Sequence, residues 1–148
     1  MATDCLFCKI VSGDIPATKV AENSHCIAFR DISPKAPTHI LVIPRQHVAS
    51  LNQVESAALA GEVLLMAASV AKDEGIAESG YRVVLNTNGD GGQTVFHLHA
   101  HLMGGRAMHW PPDDRRSLHL PRGHIACQRS LNACSPSSPP PARRRTRR

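Results

Sequence analysis

His97, His99 and His101 alternate with Leu98, Ala100 and Leu102. The side-chain period of a strand is two, so this spacing puts three imidazoles on one face and three apolar side chains on the other. Neutral imidazole is a competent nucleophile at pH 7, because its ordinary pKa is about 6.5. Attack on phosphorus would give a covalent phosphoramidate and split one hard displacement into two easier ones. A metal site made by all three histidines is the rival reading. The plain reading is three unconnected core or surface histidines. Just upstream, Gly91-Gly92-Gln93-Thr94 offers backbone N–H groups and a hydroxyl with little bulk, which suits a phosphate. It is not a Walker loop, since no Gly-Lys-Ser/Thr follows, and its plain reading is a glycine-rich turn.

A second group is Cys5-Leu6-Phe7-Cys8. A thioredoxin-like redox reading lacks the βαβ context it needs. Packed, unmetallated thiols and a metal site both stay open. Cys26 reads as core, and Cys127 and Cys134 are not assigned.

The elements that must position these residues follow from local pattern. Cys5–Ser12 has apolar residues at helical spacing and stops at Gly13, so a short helix is predicted. Ile15–Val20 reads as extended around Pro16. Cys26–Phe29, Thr38–Ile43, Tyr81–Leu85 and Val95–Met103 read as strands. Asp31–Pro37 and Asn86–Gly92 read as loops. Ser50–Glu74 is the one long helical stretch, with Leu51, Val54, Ala58, Leu65 and Ala68 near one face and Gly75 as a C-terminal cap. Several strands around one long helix predict an α+β sheet domain.

Length and charge set the outer limits. The 148 residues allow one domain, or a smaller domain with a tail. No apolar run approaches the roughly 20 residues needed to cross a bilayer. The N-terminus lacks the pattern of a secretory signal, so a cytoplasmic protein with reduced cysteines is expected. The formal charge of +5 is unevenly spread. Residues 1–112 carry 8 Lys and Arg against 10 Asp and Glu, a net −2; residues 113–148 carry 9 Arg against 2 Asp, a net +7. The sequence therefore divides into a mildly acidic domain, 1–112, and an Arg/Pro/Ser-rich tail, 113–148, that reads as largely disordered. The tail is a natural anion-binding segment, an out-of-frame end or an artificial extension. A nucleic-acid surface is not supported within 1–112, and nucleic acid enters only through the tail.

Asp31-Ile32-Ser33-Pro34, Ala36-Pro37-Thr38-His39, Val42-Ile43-Pro44, Asp90-Gly91-Gly92-Gln93, the alternating histidines and Met108-His109-Trp110-Pro111-Pro112 together resemble the histidine triad (HIT) superfamily. More narrowly they resemble its Hint branch of nucleotide-binding phosphoramidases. The resemblance covers residues 4–112, and nothing after Pro112 shares it. It implies an antiparallel sheet of about five strands with one long and one short helix, extended across a homodimer. It also implies hydrolysis of nucleoside 5′-phosphoramidates through a nucleotidyl-histidine.

In that pattern His99 corresponds to the nucleophile. His101 corresponds to a donor to phosphoryl oxygen or leaving group, His97 opens the triad, and His39 is a fourth active-site histidine. Asp31 corresponds to the acceptor of ribose hydroxyls. Ile32, Phe29 and Ile27 would form an apolar slot for a purine base, though Phe29 and Ile27 also fit plain core. Asn86, Gly92, Gln93 and Thr94 fall on the phosphate side, Val95 and Trp110 complete the nucleotide-binding set, and Trp110 also stands at the dimer contact. Some HIT proteins hold zinc with a Cys₂His₂ set, and Cys5, Cys8, His47 and His97 occupy all four positions. Such zinc would be structural, closed and tetrahedral. The expected ligand is a purine nucleoside monophosphate or phosphoramidate, with no organic cofactor. A dinucleoside polyphosphate hydrolase of the Fhit branch and a non-catalytic nucleotide-binding protein are the alternatives, and the Trp-Pro-Pro ending favours Hint over Fhit.

Overall fold

A computed structural model describes residues 4–112. The chain divides into two units, Met1–His109 and Trp110–Arg148. Every helix and strand found among the described residues lies in the first. The expected tail, 113–148, lies outside the described residues, as do Cys127 and Cys134.

The first unit is built on five strands: β1 (Lys19–Glu22), β2 (Cys26–Arg30), β3 (Thr38–Pro44), β4 (Tyr81–Val84) and β5 (Ala100–Gly104). They form one antiparallel sheet in the order β1-β2-β3-β5-β4. β3 is central, and all seven of its residues are buried. Two helices flank the sheet, α1 (Leu6–Ser12) and α2 (Ala57–Asp73), as the α+β reading expects.

Alternation along the strands sorts residues onto two faces. Cys26, Ala28, Ile40, Val42, Leu98, Ala100 and Leu102 pack against the α2 stripe of Val63, Met66, Ala67, Val70 and Ala71. Ile27, Phe29, Leu41 and Ile43 face the other way, onto Phe7 and Ile10 of α1. Period two then places His39, His99 and His101 on the α1 face.

Three sequence expectations are corrected. The helix does not begin at Ser50. Leu51–Gln53 is a separate 3₁₀ turn, and Ser56 caps α2 by accepting a hydrogen bond from the Leu59 N–H. Serines divert the backbone into turns and caps in this way. The buried stripe is also not the expected one: Leu65 is 69% exposed and Leu51 44%. The i, i+3, i+4, i+7 set starting at Val63 faces the sheet instead.

The last strand starts at Ala100, not Val95, so only His101 of the three histidines lies in a ladder. β3 pairs with β5 no further than Val42–Ala100. Beyond it Pro44 has no N–H to offer a ladder, and its carbonyl is taken by the His97 ring. Residues 95–99 are pinned elsewhere: the Leu98 N–H donates to the Val48 carbonyl, and the His97 N–H to the Val95 carbonyl.

Candidate active site

His99 is buried and lines a cavity of about 700 Å³. One wall is Leu6, Phe7 and Ile10 of α1, continued by Ile15, Pro16, Ala17 and Thr18. The facing wall is Phe29, Arg30, Asp31 and Ile32 at the end of β2. Leu41, Thr94, Val95, His99 and His101 complete it. The lining is mostly apolar with a few convergent polar groups, the usual make-up of a small-molecule site.

Hydrogen bonds assign the tautomers. His99 Nδ1 lies 2.7 Å from the His97 carbonyl, which can only accept. Nδ1 therefore carries the proton, and the lone pair sits on Nε2. The Lys35 N–H donates to His39 Nδ1 at 3.1 Å, so neutral His39 holds its proton on Nε2. That N–H donates to His101 Nδ1 at 2.9 Å. Neutral His101 then has its remaining N–H on Nε2. The cavity is thus lined by one histidine with a free lone pair on Nε2 and one with a donor there.

Charge is disfavoured at His101 and His39. Burial holds His101 far below the ordinary imidazole range, at about 4, and the neighbouring His99 and His39 push the same way. Burial also lowers His39, against the pull of the Asp31 carboxylate. Asp31 Oδ1 accepts from the Ser33 N–H, and Oδ2 lies 3.5 Å from His39 Nε2. Asp31, His39 and His101 stand close enough to share a cation. The Lys35 N–H argues against it, because it keeps the His39 proton on the very nitrogen that would have to bind.

His97 points away from this group. Its Nε2–H donates to the Pro44 carbonyl at 2.9 Å, which leaves Nδ1 unprotonated. That nitrogen lies 3.5 Å from Cys5 Sγ, 3.6 Å from Cys8 Sγ and 3.3 Å from His47 Nδ1, and Cys8 Sγ lies 3.3 Å from His47 Nδ1. A tetrahedron with metal–sulfur bonds of about 2.3 Å and metal–nitrogen bonds of about 2.0 Å has edges of about 3.3–3.8 Å. The four donors therefore fit a zinc-sized ion, and thiolate with imidazole is the donor set such an ion prefers.

The remaining expected residues separate. Phe29, Asp31, Ile32, Thr94 and Val95 line the cavity. Ile27 does not: it is fully buried in the core beneath. Asn86 and Gly92 are not in the wall. Gly92 has a φ of +78°, and a Cβ on Gly91 would collide with the Thr87 carbonyl, so both glycines serve the turn itself. Gln93 is buried and already engaged. Its Oε1 accepts from the Asn88 N–H, and its Nε2 donates to the Ala49 and Val95 carbonyls. Trp110 belongs to the second unit and is 82% exposed. Sequence reasoning missed the α1 and Ile15–Thr18 wall. Its only local signal was the apolar Leu6-Phe7 pair between the two cysteines.

A five-stranded antiparallel sheet that presents alternating histidines beside such a cavity is the form of a HIT domain. The HIT domain family model matches residues 12–108, and the chain belongs to that family. An uncharacterized HIT-like protein of Synechococcus elongatus is 52% identical over 114 residues, covering 76% of this chain and 99% of the relative. The purine nucleoside phosphoramidase of Escherichia coli is 47% identical over 110 residues, covering 73% of this chain and 92% of the relative. Among solved structures, a HIT family hydrolase from Legionella pneumophila superposes with a TM-score of 0.72 at 52% identity, covering 74% of this chain and 99% of that one. No helix among the described residues is long and apolar enough to cross a membrane.

Proposed function

We propose that this chain is a cytoplasmic hydrolase of purine nucleoside 5′-phosphoramidates, acting through a nucleotidyl-histidine on His99. The observation that carries the reading is the free Nε2 lone pair of His99 beside the cavity, fixed by the His97 carbonyl. Nε2 attacks phosphorus, and an N–P bond forms. The substrate's P–N bond breaks, its electron pair stays with the nitrogen, and the amine leaves after taking a proton from solvent. The His99 ring becomes cationic, and its Nδ1–H strengthens its bond to the His97 carbonyl as charge develops. The His101 Nε2–H donates to a phosphoryl oxygen. Water then attacks phosphorus, the bond to Nε2 breaks, and the nucleoside monophosphate leaves with release of a proton.

Asp31 supports the nucleoside half by accepting from ribose hydroxyls, while Phe29 and Ile32 flank the base. The Thr94 hydroxyl stands on the phosphate side. Cys5, Cys8, His47 and His97 would hold zinc, whose chemistry there is structural cross-linking. We expect one zinc per chain, measured by elemental analysis of freshly purified protein, and a homodimer. Similarity to the Escherichia coli phosphoramidase favours this substrate class. The test is a single-turnover reaction with an adenosine phosphoramidate labelled at phosphorus, followed by mapping of the labelled residue. Label on His99 is expected. Faster turnover of a diadenosine polyphosphate would move the chain to the dinucleoside class, and nucleotide binding without label would leave it a binding protein.

A further inference from the structure

The metal cluster and the nucleotide cavity share one helix. α1 has seven residues, and its N-cap Cys5 makes no side-chain cap bond. Its first turn has no acidic residue. Gly13 closes its C-terminus in the left-handed conformation, but a two-turn helix with no side-chain N-cap is marginal by itself. Two things hold it: burial of Phe7 and Ile10, and the donors Cys5 and Cys8 set against His47 and His97. The same seven residues put Leu6, Phe7 and Ile10 into the cavity wall. The Phe7 ring meets His99 edge-on at 5.2 Å and Phe29 at 5.8 Å. The larger core, between the sheet and α2, contains no residue of α1. The helix can therefore loosen while the sheet stands.

We propose that Cys5 and Cys8 are positioning residues for the cavity: the metal they hold with His47 and His97 orders α1 as its wall, so metal occupancy sets nucleotide affinity. The proposal rests on the nucleotide-binding reading above and adds a regulation to that site. Removing the metal leaves Leu6, Phe7 and Ile10 to be re-ordered by the ligand, which weakens binding by about tenfold or more.

The experiment uses the full chain, zinc-loaded and chelator-stripped, with Cys8→Ser as the second variant. Amide hydrogen exchange is read in α1 and in β3, and AMP affinity by calorimetry. Stripping is expected to speed exchange in α1 and leave β3 protected. It should also raise the AMP dissociation constant by about tenfold or more. Zinc chloride should restore both properties in the natural chain and neither in Cys8→Ser. Equal AMP affinity in the two forms overturns the proposal and leaves the nucleotide reading standing. Loss of β3 protection together with α1 also overturns it, since the metal would then staple the whole fold. So does failure to take up zinc. Absence of AMP binding in both forms defeats the nucleotide reading, and this proposal with it.

Discussion

The His97 carbonyl accepts the Nδ1–H of His99 at 2.7 Å, and this one bond decides which nitrogen of His99 faces the cavity with a lone pair. The acceptor is main chain, so no substitution of the His97 side chain removes it directly. The expected phenotypes of the two positions therefore differ. On the proposed mechanism only the nucleophile is lost in His99→Ala, which should lower turnover by roughly a thousandfold or more while AMP binding survives. Steady-state turnover and calorimetry on the same preparation check this. Near-native turnover in His99→Ala would end the assignment.

The pH dependence of stability has a definite sign. His101 titrates at about 4 in the folded chain, through burial first and the His99 and His39 charges second. In the unfolded chain it titrates near the ordinary 6.5. Between these values the unfolded state binds more protons, so stability rises with pH there. The contribution is complete above about 6.5 and lost as pH falls toward 4. Urea midpoints of metal-stripped protein, from pH 4 to 7, should show this rise in the natural chain and a shallower one in His101→Gln. Parallel curves would remove His101 as the cause.

Much of the site was legible because period two is a local property. His99, His101 and the packing set Leu98, Ala100 and Leu102 separate onto opposite faces although the ladder begins only at Ala100. Asp31 and Thr94 reach the cavity from the places their loops predict. What local pattern could not supply was the partner of each surface. Leu65 looked like core until the Val63–Ala71 stripe took the sheet. The α1 wall depends on where a distant histidine, His97, draws Cys5 and Cys8.

Gln93 shows the same gap in a testable form. It was expected beside a phosphate, yet its amide joins the Asn88, Ala49 and Val95 backbones. Gln93→Ala would leave a buried N–H and buried carbonyl groups short of partners, at a cost of about 2–3 kcal/mol. Urea denaturation of the zinc-loaded protein should show that loss, with AMP affinity changed little. Weaker AMP binding at unchanged stability would return Gln93 to the ligand.

The last prediction concerns assembly, where the two edges of the sheet are unequal. β1 is blunted: its register with β2 shifts between Lys19 and Ala21, and Lys19 pairs with Glu22 across its length. Irregularity and charge are what keep an edge from pairing. β4, the other edge, carries Tyr81, Arg82, Val83 and Val84, with Tyr81 38% exposed. On α2, Leu64 and Leu65 are 49% and 69% exposed. A domain of this size buries only roughly two-thirds of its unfolded surface, and a partner copy is an economical cover for such residues. A homodimer joined through β4 and the outer face of α2 is therefore expected at micromolar concentration, and Leu65→Glu should shift it toward monomer. Light scattering on the full chain and on residues 1–112 gives the readout. A monomer in both forms would defeat the dimer. A monomer only in the full chain would assign the interference to residues 113–148, whose net charge of +7 repels a second copy of itself.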